Sequence, residues 1–177
     1  MASFLQTPGV RVVLLLGRLG LGGVLLYAGF IKLWSVGWGE AGLEVQRLPW
    51  ITFAASVQAY ELLPTDGVIF VAKWLPWLEL ALGAWLIAGI GLRWAGAMAS
   101  ALMGTFFVVM VRAFALGMDI NCGCFGDDDP LSAATLVRDG ALLALALALT
   151  VGGFLQTRGK REAATAVPAA GLPESTA

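Results

Sequence analysis

The two cysteines of this chain, Cys122 and Cys124, stand in the stretch NCGCFG at residues 121–126, between two long apolar segments. Thiolates are nucleophiles and soft metal ligands, and the single glycine between the cysteines relaxes the backbone. A bridge between residues so close in sequence is strained and easily reduced, which suits thiol exchange better than stabilisation. The pair therefore indicates a redox-active or disulfide-carrying site, with metal binding or an inert structural role as alternatives.

A complete metal site is not predicted, because two thiolates do not fill a structural zinc site. Cu(I) would accept two sulfurs, with Met118 as a third, and a dimer would supply four thiolates. Histidine is absent from the sequence, which removes the commonest metal ligand and the commonest general base. Ser-His-Asp catalysis, c-type haem attachment and Cys/His zinc sites are therefore excluded within one chain.

The composition indicates that the elements around the cysteines are membrane helices. Hydrophobic residues make up 59% of the 177 residues and charged residues 13%, against about 25% charged in a soluble domain. The net charge of −1 gives no electrostatic case for nucleic acid as a partner. The lipid bilayer is the expected surrounding.

The hydropathy pattern predicts an all-α polytopic membrane protein with a bundle of four transmembrane helices, because four segments are long enough to span. Asp129 followed by Pro130, or alternatively Ser132, offers a start for the last helix. A short amphipathic helix within 50–63 is expected to lie on the outer face and to roof the cysteines. The predicted domain covers 1–155, and 156–177 is expected to be a disordered cytoplasmic tail. The four predicted spans are 10–33, 67–90, 94–116 and 132–155.

Basic residues in the flanks predict the orientation in the membrane. With both termini in the cytoplasm, the inner flanks hold more lysine and arginine than the outer loops. The cysteine loop then faces the periplasm or the cell exterior from the inner or plasma membrane, where disulfides persist.

Charged residues inside the spans are candidate functional positions, since they are costly in lipid. Arg18 and Glu79 lie at similar predicted depth, so we expect them to approach each other as an ion pair, a proton route or a polar ligand contact. Lys32, Arg112 and Arg138 lie nearer the outer boundary and would favour a thiolate, whereas the acidic run at 127–129 would disfavour one.

Five ordered motifs resemble the MauE branch, named for methylamine utilisation, of the DoxX-like membrane proteins. The first is GFIKL at 29–33, which is similar to a G-x-x-K-L element. AYELLP at 59–64 precedes the second span, and LPWLELALG at 75–83 lies inside it. CGCFG at 122–126 and LVRD at 136–139 complete the set.

The resemblance implies a four-helix bundle that forms or handles disulfides of exported proteins, often beside a thioredoxin-like partner. By this resemblance Cys122 and Cys124 are the redox pair, and Lys32, Glu79 and Arg138 are the polar positions of the family. Asp139 stands where asparagine is common in the family.

Two functions from different classes follow from these features. The leading hypothesis is a membrane thiol–disulfide oxidoreductase or maturation factor, although the sequence leaves open whether the chain is an enzyme. No cofactor is evident, but a quinone could accept the electrons, with Trp74, Trp77 and Phe125 as candidate walls of its site. The alternative is a non-catalytic accessory subunit of a larger membrane complex, for example a respiratory one. A small-molecule transporter is a third hypothesis, which is disfavoured because the sequence shows no inverted repeat.

Overall fold

The structure is a computed structural model, and it describes residues 8–39, 42–46, 49–125 and 129–165. The end of the predicted tail, from 166, lies outside the described residues, as do Gly126, Asp127 and Asp128 of the cysteine loop. The helices are α1 (Pro8–Leu33), α2 (Pro49–Ala59), α3 (Thr65–Ala88), α4 (Leu92–Ala115) and α5 (Ala133–Thr165), and strands β1 (Ser35–Gly39) and β2 (Gly42–Gln46) join α1 to α2.

Four of these helices are long and apolar enough to cross a bilayer, which confirms the predicted four-span architecture. Their candidate spans contain 22 to 26 residues. At about 1.5 Å per residue, each exceeds the roughly 30 Å of the hydrocarbon core. The spans are Val12–Leu33, Thr65–Ala88, Leu92–Ala115 and Ala133–Arg158.

The last helix differs from its prediction at the C-terminal end. It continues through Thr165, so the described part of the segment expected to be disordered is helical. Its N-terminus begins at the alternative cap, because the Ser132 hydroxyl accepts the backbone N–H of Thr135 at 3.2 Å. Asp129 is therefore free for a different role at the cysteine site.

Helices α1 and α3 pack antiparallel and touch along small residues. A Cβ on Gly83 would lie 2.7 Å from the carbonyl oxygen of Gly22, and a Cβ on Gly29 would lie 2.7 Å from that of Pro76. Such close backbone approach is typical of membrane helix interfaces, where small residues replace large ones. The contacts fix the register of the two helices and hence the partners of their charged residues.

Helices α4 and α5 form the second close pair. A Cβ on Gly96 would lie 2.7 Å from the hydroxyl oxygen of Thr150, and that hydroxyl is 3.1 Å from the hydroxyl of Ser100. Leucines and alanines from all four long helices meet between the two pairs. The fully buried members of this core include Leu21, Leu86, Ala99 and Leu149.

The helix ends at Leu33, Thr65, Ala115 and Ala133 lie together, and we name this side of the bundle the cysteine end. Helix α2 packs across it, with Phe53 buried against Ala72 and Leu75 of α3. A short helix covering the cysteines was predicted here and is confirmed.

The antiparallel β1–β2 hairpin was not predicted. Its strands, SVGWG and GLEVQ, have five residues each and include three glycines, so they lack a strong strand pattern.

Candidate functional site

The loop between α4 and α5 folds back on itself and carries both cysteines. The backbone N–H of Cys122 donates to the carbonyl of Asp129 at 2.8 Å, and that of Leu131 donates to Ile120 at 2.9 Å. Gly123 turns the chain with a φ of 71°, and a Cβ there would lie 3.0 Å from the Cβ of Ser56 in α2. Only glycine suits both the left-handed backbone and the close contact with α2.

Tyr60, directly after α2, fastens this loop to the roof of the bundle. Its hydroxyl donates to the carbonyl oxygen of Cys122 at 3.1 Å, and the side chain is 8% exposed. Burial, followed by the nearby thiols and carboxylates, raises the pKa of Tyr60, so the phenol stays a neutral hydrogen-bond donor.

The two thiols lie side by side and are free. Their Sγ atoms and one carboxylate oxygen of Asp139 all lie within 4.8 Å of one another. Cys122 is 5% exposed, donates its S–H to Asp129 Oδ2 at 2.9 Å and accepts the backbone N–H of Cys124 at 3.3 Å. The Cys124 sulfur lies 4.0 Å from Met110 Sδ of α4.

Arg138 of α5 organises the charges around the thiols. Its guanidinium donates to both oxygens of Asp129, at 3.1 and 2.8 Å, and to both oxygens of Asp139, at 3.0 and 3.2 Å. It also lies 3.8 Å from the Cys122 sulfur and 4.5 Å from the centre of the Phe125 ring. Because two carboxylates share this one cation, only part of its charge is left to stabilise a thiolate.

The surroundings make the two thiols unequal. The hydrogen bond from the Cys124 thiol lowers the pKa of Cys122, although burial and Asp129 act against it. The same hydrogen bond, together with burial, raises the pKa of Cys124 well above its usual range. Burial opposes ionisation of Asp129, but the hydrogen bonds from Arg138 and Cys122 hold the pKa of Asp129 below its ordinary value. The first proton to leave the pair is therefore that of Cys122.

A cavity of about 50 Å³ lies inside the bundle next to Cys124. The wall of the cavity is apolar except for the ionisable groups of Glu79, Cys124 and Asp139. This volume has room for a few waters, since one water needs roughly 10–15 Å³, but it is well below the roughly 150 Å³ of a cavity that binds benzene. A quinone ring would therefore enter only if the bundle opened.

Glu79 forms a buried ion pair with Lys32, not with Arg18, so the predicted Arg18–Glu79 contact is wrong. Lys32 Nζ lies 2.7 and 2.8 Å from the two carboxylate oxygens, and the side chains are 5% and 7% exposed. The α1–α3 register places Arg18 against Gly89, far along α3 from Glu79. Lys32 reaches Glu79 because helical side chains point back toward the N-terminus.

The structure thus brings three of the five predicted polar positions close to the thiols and leaves two apart from them. Lys32, Glu79 and Arg138 lie near the thiols or their cavity. Arg18 lies at the opposite end of the bundle, and its Nε is buried without a hydrogen-bond partner among the described residues. Arg112 is exposed on the last turn of α4 and is not among the described residues that contact the thiols.

Three residues that contact the cysteines were not predicted to do so: Tyr60, Asp129 and Met110. Tyr60 belongs to the AYELLP motif, which marked it without giving its partner. Asp129 was seen as part of an acidic run or as a cap, and the fold-back of the loop could not be foreseen. Met110 lies within an apolar span, where methionine carries no distinct signal.

Comparison with known proteins identifies a family for this chain. The family described as methylamine utilisation protein MauE matches residues 10–152, which include all four candidate spans almost entirely and both cysteines. No curated protein and no solved structure matches the chain. Since the match covers most of the sequence, the chain belongs to the MauE family.

Proposed function

We propose that this protein is a membrane thiol–disulfide exchange protein that acts on exported proteins through Cys122 and Cys124. The observation that carries the proposal is the asymmetric pair: two free thiols lie within 4.8 Å, and the side chain of one lowers the pKa of the other. A thiol with a lowered pKa and an adjacent second thiol suits exchange. Because Cys122 is only 5% exposed, a partner reaches it only when the cysteine loop moves away from α2.

The exchange has two steps. The Cys122 thiolate attacks one sulfur of a partner's disulfide, the partner's S–S bond breaks, and the released partner thiolate takes up a proton. Cys124 then loses its proton and attacks the Cys122 sulfur, which releases the second partner thiol. The partner gains two electrons and two protons, and the Cys122–Cys124 disulfide forms; the reverse sequence oxidises a partner dithiol.

Membrane orientation and partner class belong to the same proposal. Arg93 and Arg158 flank the spans at the end opposite to the cysteines, so the positive-inside rule favours cytoplasmic termini and a cysteine end on the periplasmic or extracellular side. An exported thioredoxin-like or substrate protein would then supply the second dithiol. A membrane quinone remains the candidate electron acceptor, and it would require the cavity beside Cys124 to widen.

The first test measures the redox behaviour of the pair in native membranes, by acid quenching, differential alkylation and mass spectrometry across glutathione ratios. We expect reversible oxidation with a potential above roughly −300 mV, the usual upper limit for structural disulfides. A pair that stays reduced and unreactive, or oxidised and resistant to reductant, would refute exchange and favour the accessory-subunit alternative.

A trapping experiment then assigns the two roles. Cys124→Ser keeps the attacking thiol and removes the resolving one, so it should accumulate a mixed disulfide with an exported protein. Cys122→Ser serves as the matched control and should trap little. Maturation of exported disulfide proteins at the wild-type level by both single variants would contradict exchange at this pair.

A further inference from the structure

The surroundings of the two thiols contain several methionine sulfurs. Met110, which is 1% exposed, lies in one buried cluster with Cys122, and the partly buried Cys124 and Met118 pack against this cluster. Met103 lines the cavity that Cys124 and Met110 also line. We infer that Cys122, Cys124 and Met110 form a binding site for one Cu(I) ion.

The spacing of the sulfurs fits one small soft cation. The two thiol sulfurs lie within 4.8 Å of each other, and Met110 Sδ lies 4.0 Å from Cys124 Sγ. Three sulfurs at about 2.3 Å from a central metal, the length of a zinc–thiolate bond, stand about 4.0 Å apart in a trigonal arrangement. The Cys124 sulfur thus stands at or near this separation from both of the other sulfurs.

The donor set selects the metal. Asp139 also lies within ligand distance of both thiols, but each of its oxygens already accepts a hydrogen bond from Arg138. The donors left are two thiolates and a thioether, a soft set that suits Cu(I) and not the harder divalent ions. Binding releases two protons to solvent, and the ion brings one positive charge to a site that otherwise gains two negative charges.

Burial adds to the fit. Cys122 and Met110 are nearly inaccessible, Tyr60 and Gly123 hold the loop against α2, and the neighbouring cavity is lined mainly by apolar residues. Asp129 and Asp139, the oxygen donors beside the thiols, are both held by Arg138, which disfavours the mixed sulfur and oxygen shells of Zn²⁺ or Cu(II). The inference does not depend on the proposed exchange reaction, since it needs only the reduced thiols.

The test uses the full chain in detergent, reduced and stripped with a chelator, and titrated anaerobically with Cu(I) against a chromogenic Cu(I) chelator. We expect one ion per chain and an X-ray absorption spectrum with a sulfur-only shell near 2.3 Å. Either cysteine-to-serine substitution should abolish tight binding. Met110→Leu should weaken it by at least roughly tenfold, the smaller end of the effect of disturbing a metal site.

Met98→Leu is the matched control, because Met98 lies on the same helix but is 45% exposed and outside the sulfur cluster. It should bind Cu(I) like the wild type, and the thermal unfolding of metal-free Met110→Leu will show whether that variant folds. Absence of binding would overturn the inference, as would unchanged affinity in a folded Met110→Leu protein. A preference for Zn²⁺ that is lost in Asp139→Asn would replace it with a thiolate–carboxylate site. The redox and trapping experiments involve no metal, so either proposal can fail while the other stands.

Discussion

Replacing Lys32 by methionine should destabilise the bundle strongly, because it leaves the Glu79 carboxylate buried without a counter-charge. The ion pair is bidentate and both side chains are at most 7% exposed. Removing one partner of a buried pair costs roughly 3–5 kcal/mol, and an isolated charge at the centre of a membrane helix costs about 2.5–3.5 kcal/mol. Both estimates predict that Lys32→Met lowers the free energy of unfolding by about 3 kcal/mol.

The assay is a double-mutant cycle on the full-length protein in mixed micelles, with unfolding followed by circular dichroism as denaturing detergent is added. Glu79→Leu alone leaves the Lys32 ammonium unpaired and should cost a similar amount. The double variant Lys32→Met/Glu79→Leu should recover most of the loss, since two apolar residues can replace a buried ion pair with little net cost. Lys73→Met is the control, because Lys73 is exposed on α3, where its Nζ lies 5.5 Å from the centre of the Trp50 ring.

The reasoning fails if the two single substitutions are simply additive in the double variant, because the charges would then not depend on each other. It also fails if Lys32→Met costs no more than Lys73→Met. Combining Arg18→Met with Glu79→Leu tests the Arg18–Glu79 contact that was predicted from the sequence. That substitution should show no coupling to Glu79, since Arg18 lies against Gly89.

Two further predictions concern packing and thiol reactivity. Gly83→Ala should destabilise the bundle by about 1–3 kcal/mol, because the new Cβ would lie 2.7 Å from the backbone of α1. Gly20→Ala is the control: a Cβ there would have no such neighbour within 4 Å, so this variant should be neutral or slightly stabilising in the same unfolding assay. Asp129→Asn should lower the pKa of Cys122 further, because the Asp129 carboxylate raises that pKa. Alkylation of Cys122 in metal-free protein should then be faster near neutral pH, and the pH profile of the alkylation rate should move to lower pH. A profile that moves to higher pH would show that Asp129 instead supports the thiolate.

Sequence reasoning located the elements well, because the signals for membrane helices are local. Apolar length predicted four spans, and the cap at Ser132 was among the two starts considered for α5. The extension of α5 to Thr165 was missed, since the small polar residues beyond 155 have no apolar period that would mark a helix.

Side-chain partners were harder to predict, because they depend on how helices are registered against each other. Depth in the membrane suggested that Arg18 and Glu79 meet, but depth alone does not fix which residues face each other. The contact of Gly22 with Gly83 sets that register and moves Arg18 away. The same limit applies to Asp129, whose approach to Cys122 depends on the loop folding back.

The charges around the thiols limit what the pair can do at one time. Arg138 is shared between Asp129 and Asp139, so the site already carries more negative than positive charge before either thiol ionises. One thiolate can be accommodated at Cys122, but a second at Cys124 would meet Asp139 and the first thiolate, and the opposing charge of Lys32 is already paired with Glu79.

Stepwise exchange fits this limit, because it needs a single thiolate at each stage. Cu(I) binding needs both protons to leave and is possible because the ion itself supplies positive charge between the sulfurs. The two proposals therefore describe alternative states of the same three sulfur atoms: an ion held by Cys122, Cys124 and Met110 blocks formation of the disulfide, and the disulfide removes two of the ligands. Bound Cu(I) should accordingly protect the pair from oxidation by glutathione disulfide, and oxidised protein should bind no Cu(I).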